Sequence, residues 1–286
     1  MRKNFLLALA LLLLSVSCTE RKEVAVQLYS VRDLIGNAEK YAANHEAVLG
    51  EIAAMGYTAV EAANYNDGLF YGRTPEQFKA DVEAAGLQVL SSHCNHGMSA
   101  EEYESGDFSA SLAWWDDCIA AHKAAGMKYI VIPWANVPET LGDLQTYCGY
   151  LDAIGKKCAE NGMAFGYHNH SHEFRKVEGE TMLDYMIQHT DPAYVFFQMD
   201  VYWAVIGDAA PVEYFKKYPG RFKVLHVKDH VEIGQSGMVG FDAIFSNTGI
   251  AGTADYVVEM EAFTDNDWKA GLKASIDYLS NSPYFK

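Results

Sequence analysis

The chain has 286 residues, half of them hydrophobic, with 22 Lys and Arg against 38 Asp and Glu and a formal charge of −16. Such a composition excludes an intrinsically disordered chain, and the acidity argues against nucleic acid as a partner, because phosphate backbones are held by basic surfaces that release counterions. The length suits one large α/β domain or two small ones.

At the start, Arg2 and Lys3 precede an unbroken apolar run from Phe5 to Leu14, then Ser15-Val16-Ser17-Cys18. A charged opening, a short apolar centre and a small-residue cleavage site make a secretory leader. About ten apolar residues fall short of the roughly 20 that a membrane span needs. The small residues before Cys18 resemble a bacterial lipobox, with Ser15 where a large aliphatic residue is usual. The expectation is a signal peptide over 1–17, a lipidated Cys18 and a tether over 18–23. The chain is then exported, periplasmic or membrane-anchored through that lipid alone. Cleavage removes Arg2 and Lys3 and takes the charge from −16 to −18. The remaining Cys94, Cys118, Cys148 and Cys158 show no close metal-type spacing and are expected as scattered core residues.

Strand-like and helix-like segments then alternate to the end. Val24–Tyr29 reads as the first strand, a helix runs through Leu49–Met55, and Tyr57–Glu61 is the second strand. Thr74-Pro75 opens the next helix with a cap residue and a proline at its first position. Further strands follow at Leu87–His93, Tyr129–Pro133, Met163–His168, Val195–Asp200, Phe222–Lys228 and Tyr256–Met260. Helices fill the gaps, including Asp208–Tyr218 and Asp267–Leu279. Gly56, Gly86, Gly126 and Gly162 each close a helical pattern before an apolar run, at spacings of 30, 40 and 36 residues that match βα units. The Gly-rich stretch from His230 to Thr253 is the longest irregular segment and reads as a binding loop or lid. Eight alternating strands without a linker give a single (β/α)8 TIM barrel over 24–286. An open doubly wound sheet needs a glycine fingerprint after the first strand, and Leu28–Asp33 carries none.

Catalytic groups of a barrel sit at the C-terminal ends of its strands. The third strand ends at His93, the fifth at His168-Asn169-His170 with Glu173 beyond, the sixth at Asp200, the seventh at His226 and the eighth at Glu259. Alone, His226 reads as a satisfied core histidine, Asp200 as a helix cap and Glu173 as surface charge. Together, Glu173, Asp200, His226 and Glu259 make a hard oxygen and nitrogen set suited to Mn²⁺, Mg²⁺, Co²⁺ or Zn²⁺. His168 and His170 alternate and share a strand face. Lys228 shares the side of His226 and suits an oxyanion or a sugar hydroxyl. Trp134, Tyr202 and Trp203 follow strand ends and offer apolar walls to a sugar, although aromatic core positions are commoner than binding platforms.

The segments Gln27–Arg32, Tyr167–His170 with Glu173-Phe174, Met199–Trp203, Leu225–Asp229 and Val258-Glu259 resemble the xylose isomerase-like barrel superfamily, and within it the sugar phosphate isomerase/epimerase branch. The resemblance runs from Val24 to about Leu279. It implies one divalent cation, Mn²⁺ above the others, on two Glu, one Asp and one His. Asp200, His226 and Glu259 match that pattern. Glu173 stands for the first Glu, with His168 or His170 as the replacement ligand. The resemblance further implies proton exchange between Glu259 and Glu173 or a nearby His; position at the strand ends adds Lys228 at the oxyanion and His93, His168, His170, Trp134 and Trp203 on the substrate. The implied reaction is sugar isomerisation or epimerisation by proton abstraction next to a carbonyl through a metal-stabilised enediolate. Two alternatives accompany it: a 3-keto-glycoside lyase using the same site, and a non-catalytic sugar-binding lipoprotein. The partner expected is a small sugar or glycoside.

Overall fold

In the computed structural model, which describes residues 22–285, eight parallel strands close into one barrel. They are β1 (Ala25–Gln27), β2 (Ala59–Ala62), β3 (Gln88–His93), β4 (Tyr129–Ile132), β5 (Ala164–His168), β6 (Val195–Asp200), β7 (Val224–Lys228) and β8 (Asp255–Glu259). Each pairs with its neighbours in chain order, and β8 closes on β1 with Ala25 opposite Val257. The leader and Cys18 lie outside the described residues. Among the described residues, no helix is long and apolar enough to cross a membrane.

The outer ring is α1 (Ala38–Met55), α2 (Pro75–Ala84), α3 (Ser109–Ala124), α4 (Leu141–Glu160), α5 (Met182–His189), α6 (Pro211–Lys217), α7 (Phe241–Ser246) and α8 (Trp268–Asn281). Local sequence explains the ends. Thr74 and Gln77 form a reciprocal capping box at the start of α2, with Pro75 at its first position. Gly56 ends α1 at φ 106°, in the left-handed region that a side chain disfavours.

Two expectations need correction. The first strand stops at Gln27, because Leu28–Val31 winds into a 3-10 turn whose start is capped by the Gln27 side chain, accepting from Tyr29 N at 3.1 Å. The stretch 230–253 is not one long loop: α7 and a short helix, Thr248–Ala251, occupy its second half. Its irregular first part is pinned by the buried Asp229, which accepts from His230 N at 2.8 Å, Gly234 N at 3.0 Å and the Ser236 hydroxyl.

The core has two layers. A large apolar shell lies between strands and helices. A smaller cluster, Ala25, Ala59, Leu90, Tyr129, Val131, Phe196, Val224 and Val257, fills the lower barrel interior. Small and large residues face each other there: a Cβ on Gly166 would meet the Phe196 ring at 2.5 Å. Because successive strand residues alternate faces, Ala59 leads up to Glu61, Phe196 to Gln198 and Asp200, and Val224 to His226 and Lys228. Apolar floor becomes polar site within each strand.

The four described cysteines are free and buried. They are not all scattered, however. Cys94, just past β3, brings its Sγ within 3.5 Å of Cys118 Sγ on α3, and His122 Nδ1 lies 3.4 Å from that second sulfur. The residues are 24 apart in sequence, a separation that hides the contact.

Candidate active site

Strand register places the polar ends side by side. Asp200 pairs with His226 across β6 and β7, and Lys228 pairs with Glu259 across β7 and β8. His226 Nδ1 lies 3.7 Å from Asp200 Oδ2 and 3.6 Å from Glu259 Oε2, and Lys228 Nζ lies 3.5 Å from that same Glu259 oxygen. Ligand atoms of Asp200, His226 and Glu259 all fall within 4.8 Å of one another. All four residues are buried.

Asp200 divides its oxygens between the two roles expected of it. Oδ1 caps the short helix Val201–Ile206 by accepting from Trp203 N at 2.8 Å, while Oδ2 has no hydrogen-bond partner. His226 Nδ1 and Lys228 Nζ are likewise buried without one. Buried polar atoms are ordinarily paired, and leaving them bare costs free energy. Asp200 Oδ2 and His226 Nδ1, bare and converging beside the Glu259 carboxylate, fit a hard divalent cation.

Charge follows from the same contacts. Burial opposes the charge on His226, but the carboxylates of Asp200, Glu259 and Glu61 around it raise its pKa well above the usual histidine value. Burial also pushes Glu259 up, and His226 and Lys228 outweigh it, holding the carboxyl at about 2. Asp200 is shifted up, because burial dominates there. Lys228 stays charged despite burial, through Glu259, Asp200 and Glu261, whose carboxylate lies 3.2 Å from its Nζ.

Below this cluster lies a carboxylate that sequence reasoning passed over. Glu61, fully buried at the end of β2, accepts from His226 Nε2 at 2.7 Å, Gln27 Nε2 at 2.9 Å, Ser91 Oγ at 2.6 Å and Gln198 Nε2 at 2.9 Å, and His93 Nε2 lies 3.1 Å away. Burial raises its pKa, and the two histidines more than reverse that, leaving it well below the usual range. The signal was available: Glu61 ends an apolar strand as Asp200 and Glu259 do. Gln198, inside β6, carried no such signal.

Above the cluster, Tyr29, Ala63, His93, Pro133, Trp134, His168, His170, Glu259 and Glu261 line a cavity of about 360 Å³, within the size range of small-molecule sites. Trp134 is 48% exposed and stands edge-on to His170, with ring centroids 5.1 Å apart. Trp203 packs against His170 at 5.7 Å, and Lys228 Nζ sits 5.8 Å from its ring. Tyr202 lies beside Trp203. The structure does not bring Glu173 into the Asp200 cluster. Its buried carboxylate accepts from Tyr167 Oη at 2.7 Å and His170 N at 2.8 Å and lies 3.1 Å from His172 Nε2. A 3-10 turn, His172–Phe174, points it back under its own loop.

Comparisons with known proteins match the barrel. The sequence profile of the xylose isomerase-like TIM barrel matches residues 49–282. A crystal structure of a sugar phosphate isomerase/epimerase from Parabacteroides distasonis ATCC 8503 superposes with a TM-score of 0.83 at 34% identity, over 93% of this chain and 100% of that one. An inosose dehydratase of Geobacillus kaustophilus (strain HTA426) is 24% identical over 213 residues, 69% of this chain and 65% of that protein. The chain thus spans just under two thirds of that curated relative. An L-ribulose 3-epimerase shares the fold, with a TM-score of 0.67 at 14% identity, over 90% of this chain and 93% of that one.

Proposed function

Since the chain belongs to the xylose isomerase-like TIM barrel family, we propose that it is a divalent-cation-dependent enzyme of the sugar isomerase/epimerase type, which removes a proton next to a carbonyl. The observation that carries the reading is the convergence of bare, buried Asp200 Oδ2 and His226 Nδ1 beside Glu259 and Lys228. Asp200, His226 and Glu259 would hold the cation, Mn²⁺ by preference, with His168 or His170 supplying the β5 donor in place of Glu173. Such a cation polarises a carbonyl and offsets charge developing on its oxygen.

In this proposal the chain's own groups do the rest. Glu259, ionised and at the cavity wall, takes the proton. Lys228 holds the developing oxyanion. Across the cavity His168 or His170 carries the second proton, and Glu173 serves by fixing the His170–His172 loop. Trp134 and Trp203 wall an apolar sugar face, and His93 takes a hydroxyl. The cavity lining includes the carboxylates of Glu259 and Glu261, whose charge opposes a phosphate group, so we read the substrate as a neutral sugar, keto-sugar or glycoside. Likeness to an inosose dehydratase favours elimination as a second reading: the same first proton removal, followed by loss of a leaving group, cleaves a 3-keto-glycoside. The leader extends the proposal to an exported, Cys18-anchored protein, and Cys18→Ala should abolish labelling by a radioactive fatty acid.

The test is metal analysis followed by incubation with ketoses and 3-keto-glycosides in D₂O. One divalent ion per chain and deuterium entry next to the carbonyl, or cleavage there, is expected. Bound sugar without exchange or cleavage overturns the enzyme reading in favour of a sugar-binding lipoprotein. Three zinc ions per chain would instead point to nuclease-type chemistry.

A further inference from the structure

The hydrogen bonds beneath the site have only one consistent polarity. An ionised carboxylate accepts and never donates. Glu61 Oε2 lies 2.9 Å from the Gln198 side chain, so Gln198 must turn its NH₂ toward it; the flipped amide would set two acceptors face to face. Gln198 Oε1 then faces His93 Nε2 at 2.8 Å and His168 Nδ1 at 3.1 Å, and an amide oxygen also only accepts. Both of those ring nitrogens therefore carry protons. His226 Nε2, 2.7 Å from Glu61 Oε1, carries one by the same rule. A neutral imidazole has a single ring proton. In the neutral rings the opposite nitrogens, His93 Nδ1 and His168 Nε2, are left with bare lone pairs; His226 Nδ1, which faces Asp200 and Glu259, gains one when its second proton leaves.

We infer that Glu61, acting directly on His226 and His93 and through Gln198 on His93 and His168, sets the tautomers of these three imidazoles, so that each neutral ring offers the site an acceptor nitrogen. Glu61 and Gln198 are positioning residues: neither lines the cavity, whereas His93 and His168 do. Two consequences follow. His93 and His168 read substrate hydroxyls that donate, a requirement that a deoxy or O-methyl sugar fails. With Nε2 engaged by Glu61, Nδ1 is the His226 nitrogen turned to a cation, and this second consequence rests on the function proposed above.

The test uses the metal-free full-length protein with ¹⁵N-labelled histidine, at about pH 9 where an unperturbed imidazole is neutral. Long-range ¹H–¹⁵N spectra show which ring nitrogen is protonated. His93 is expected with its proton on Nε2 and His168 with its proton on Nδ1. His93 protonated on Nδ1 alone, or His168 on Nε2 alone, overturns the inference. Glu61→Gln puts an amide at the centre; His93 and His168 should become tautomer mixtures, and Mn²⁺ affinity should fall about 10- to 100-fold. Unchanged single tautomers in that variant also overturn it. Gln198→Met should leave His168 a tautomer mixture, while His93 and His226, still within reach of Glu61, keep their protons on Nε2. Wild-type protein that takes up no cation refutes the proposed function, while the His93 and His168 tautomers still decide this inference.

Discussion

Glu259 sits 3.5 Å from one ammonium and 3.6 Å from one imidazole, close enough that its charge state sets both its chemistry and part of the molecule's stability. Glu259→Gln keeps the shape and removes the base. Turnover should fall by about 10²- to 10⁴-fold, the usual share of a positioned general base, while circular dichroism shows the fold retained; loss of folding would count against the site. The pH dependence has a definite sign. The Glu259 carboxyl is held at about 2 in the folded protein, against 4.5 ordinarily. Its contribution is therefore complete above about pH 4.5 and is lost as pH falls toward 2. Thermal melts of the metal-free protein across that window should show the loss, and the Glu259→Gln variant should show a shallower one.

At the scale of elements, buried carboxylates act as pins between segments that hydrophobic packing alone leaves loosely placed. Glu102 closes a capping box with Ser99 at the start of the short helix Ala100–Ser105, and it also accepts from Ser111 N and Oγ, each at 2.8 Å, in the first turn of α3. One side chain thus ties two helix starts. Glu102→Ala should cost about 2 kcal/mol and lower the melting temperature by roughly 4–8 °C in calorimetry. Inside the barrel the tolerance is set by volume: Gly166→Ala drives a methyl into the Phe196 ring and should cost about 1–3 kcal/mol. Chemical denaturation of purified variants measures both.

For the whole molecule, the candidate cation ties β6, β7 and β8 together and so couples ligation to global stability. A cation bound only by the folded chain stabilises it by about 2.7 kcal/mol at 100 times its Kd, an increase of roughly 5–10 °C in melting temperature for a protein this large. Calorimetry with Mn²⁺, then with excess chelator, should show that rise and its reversal. An identical melting temperature in both conditions would argue against the cation. Barrel closure also explains which sequence features were legible. The rule that strands of a barrel end in chemistry exposes His93, Asp200, His226 and Glu259, because a period of two and an abrupt polar ending are local signals. The same rule applies to Glu61, which ends an apolar strand but stands apart from the later strands whose polar ends match the family pattern. Glu173 lies several residues past the strand-five end where the family pattern puts its first Glu, and its carboxylate turns to Tyr167 and His170, a direction set by the three-residue turn that carries it.

Local sequence by itself determined the alternation of strand and helix, the caps that bound the helices and the polar ends that crown the strands. Those properties depend on residues two to four positions apart, and propensity, periodicity and capping report them directly. Only the tertiary structure decided that Cys94 meets Cys118, that the Asp200 oxygen left over from the helix cap faces His226 and Glu259, and that Glu61 and Gln198 orient three imidazoles. Each of those depends on elements that only the folded barrel brings together, where partners up to 165 residues apart come within 2.7 Å. No spacing along the chain encodes such a distance; closing β8 onto β1 creates it.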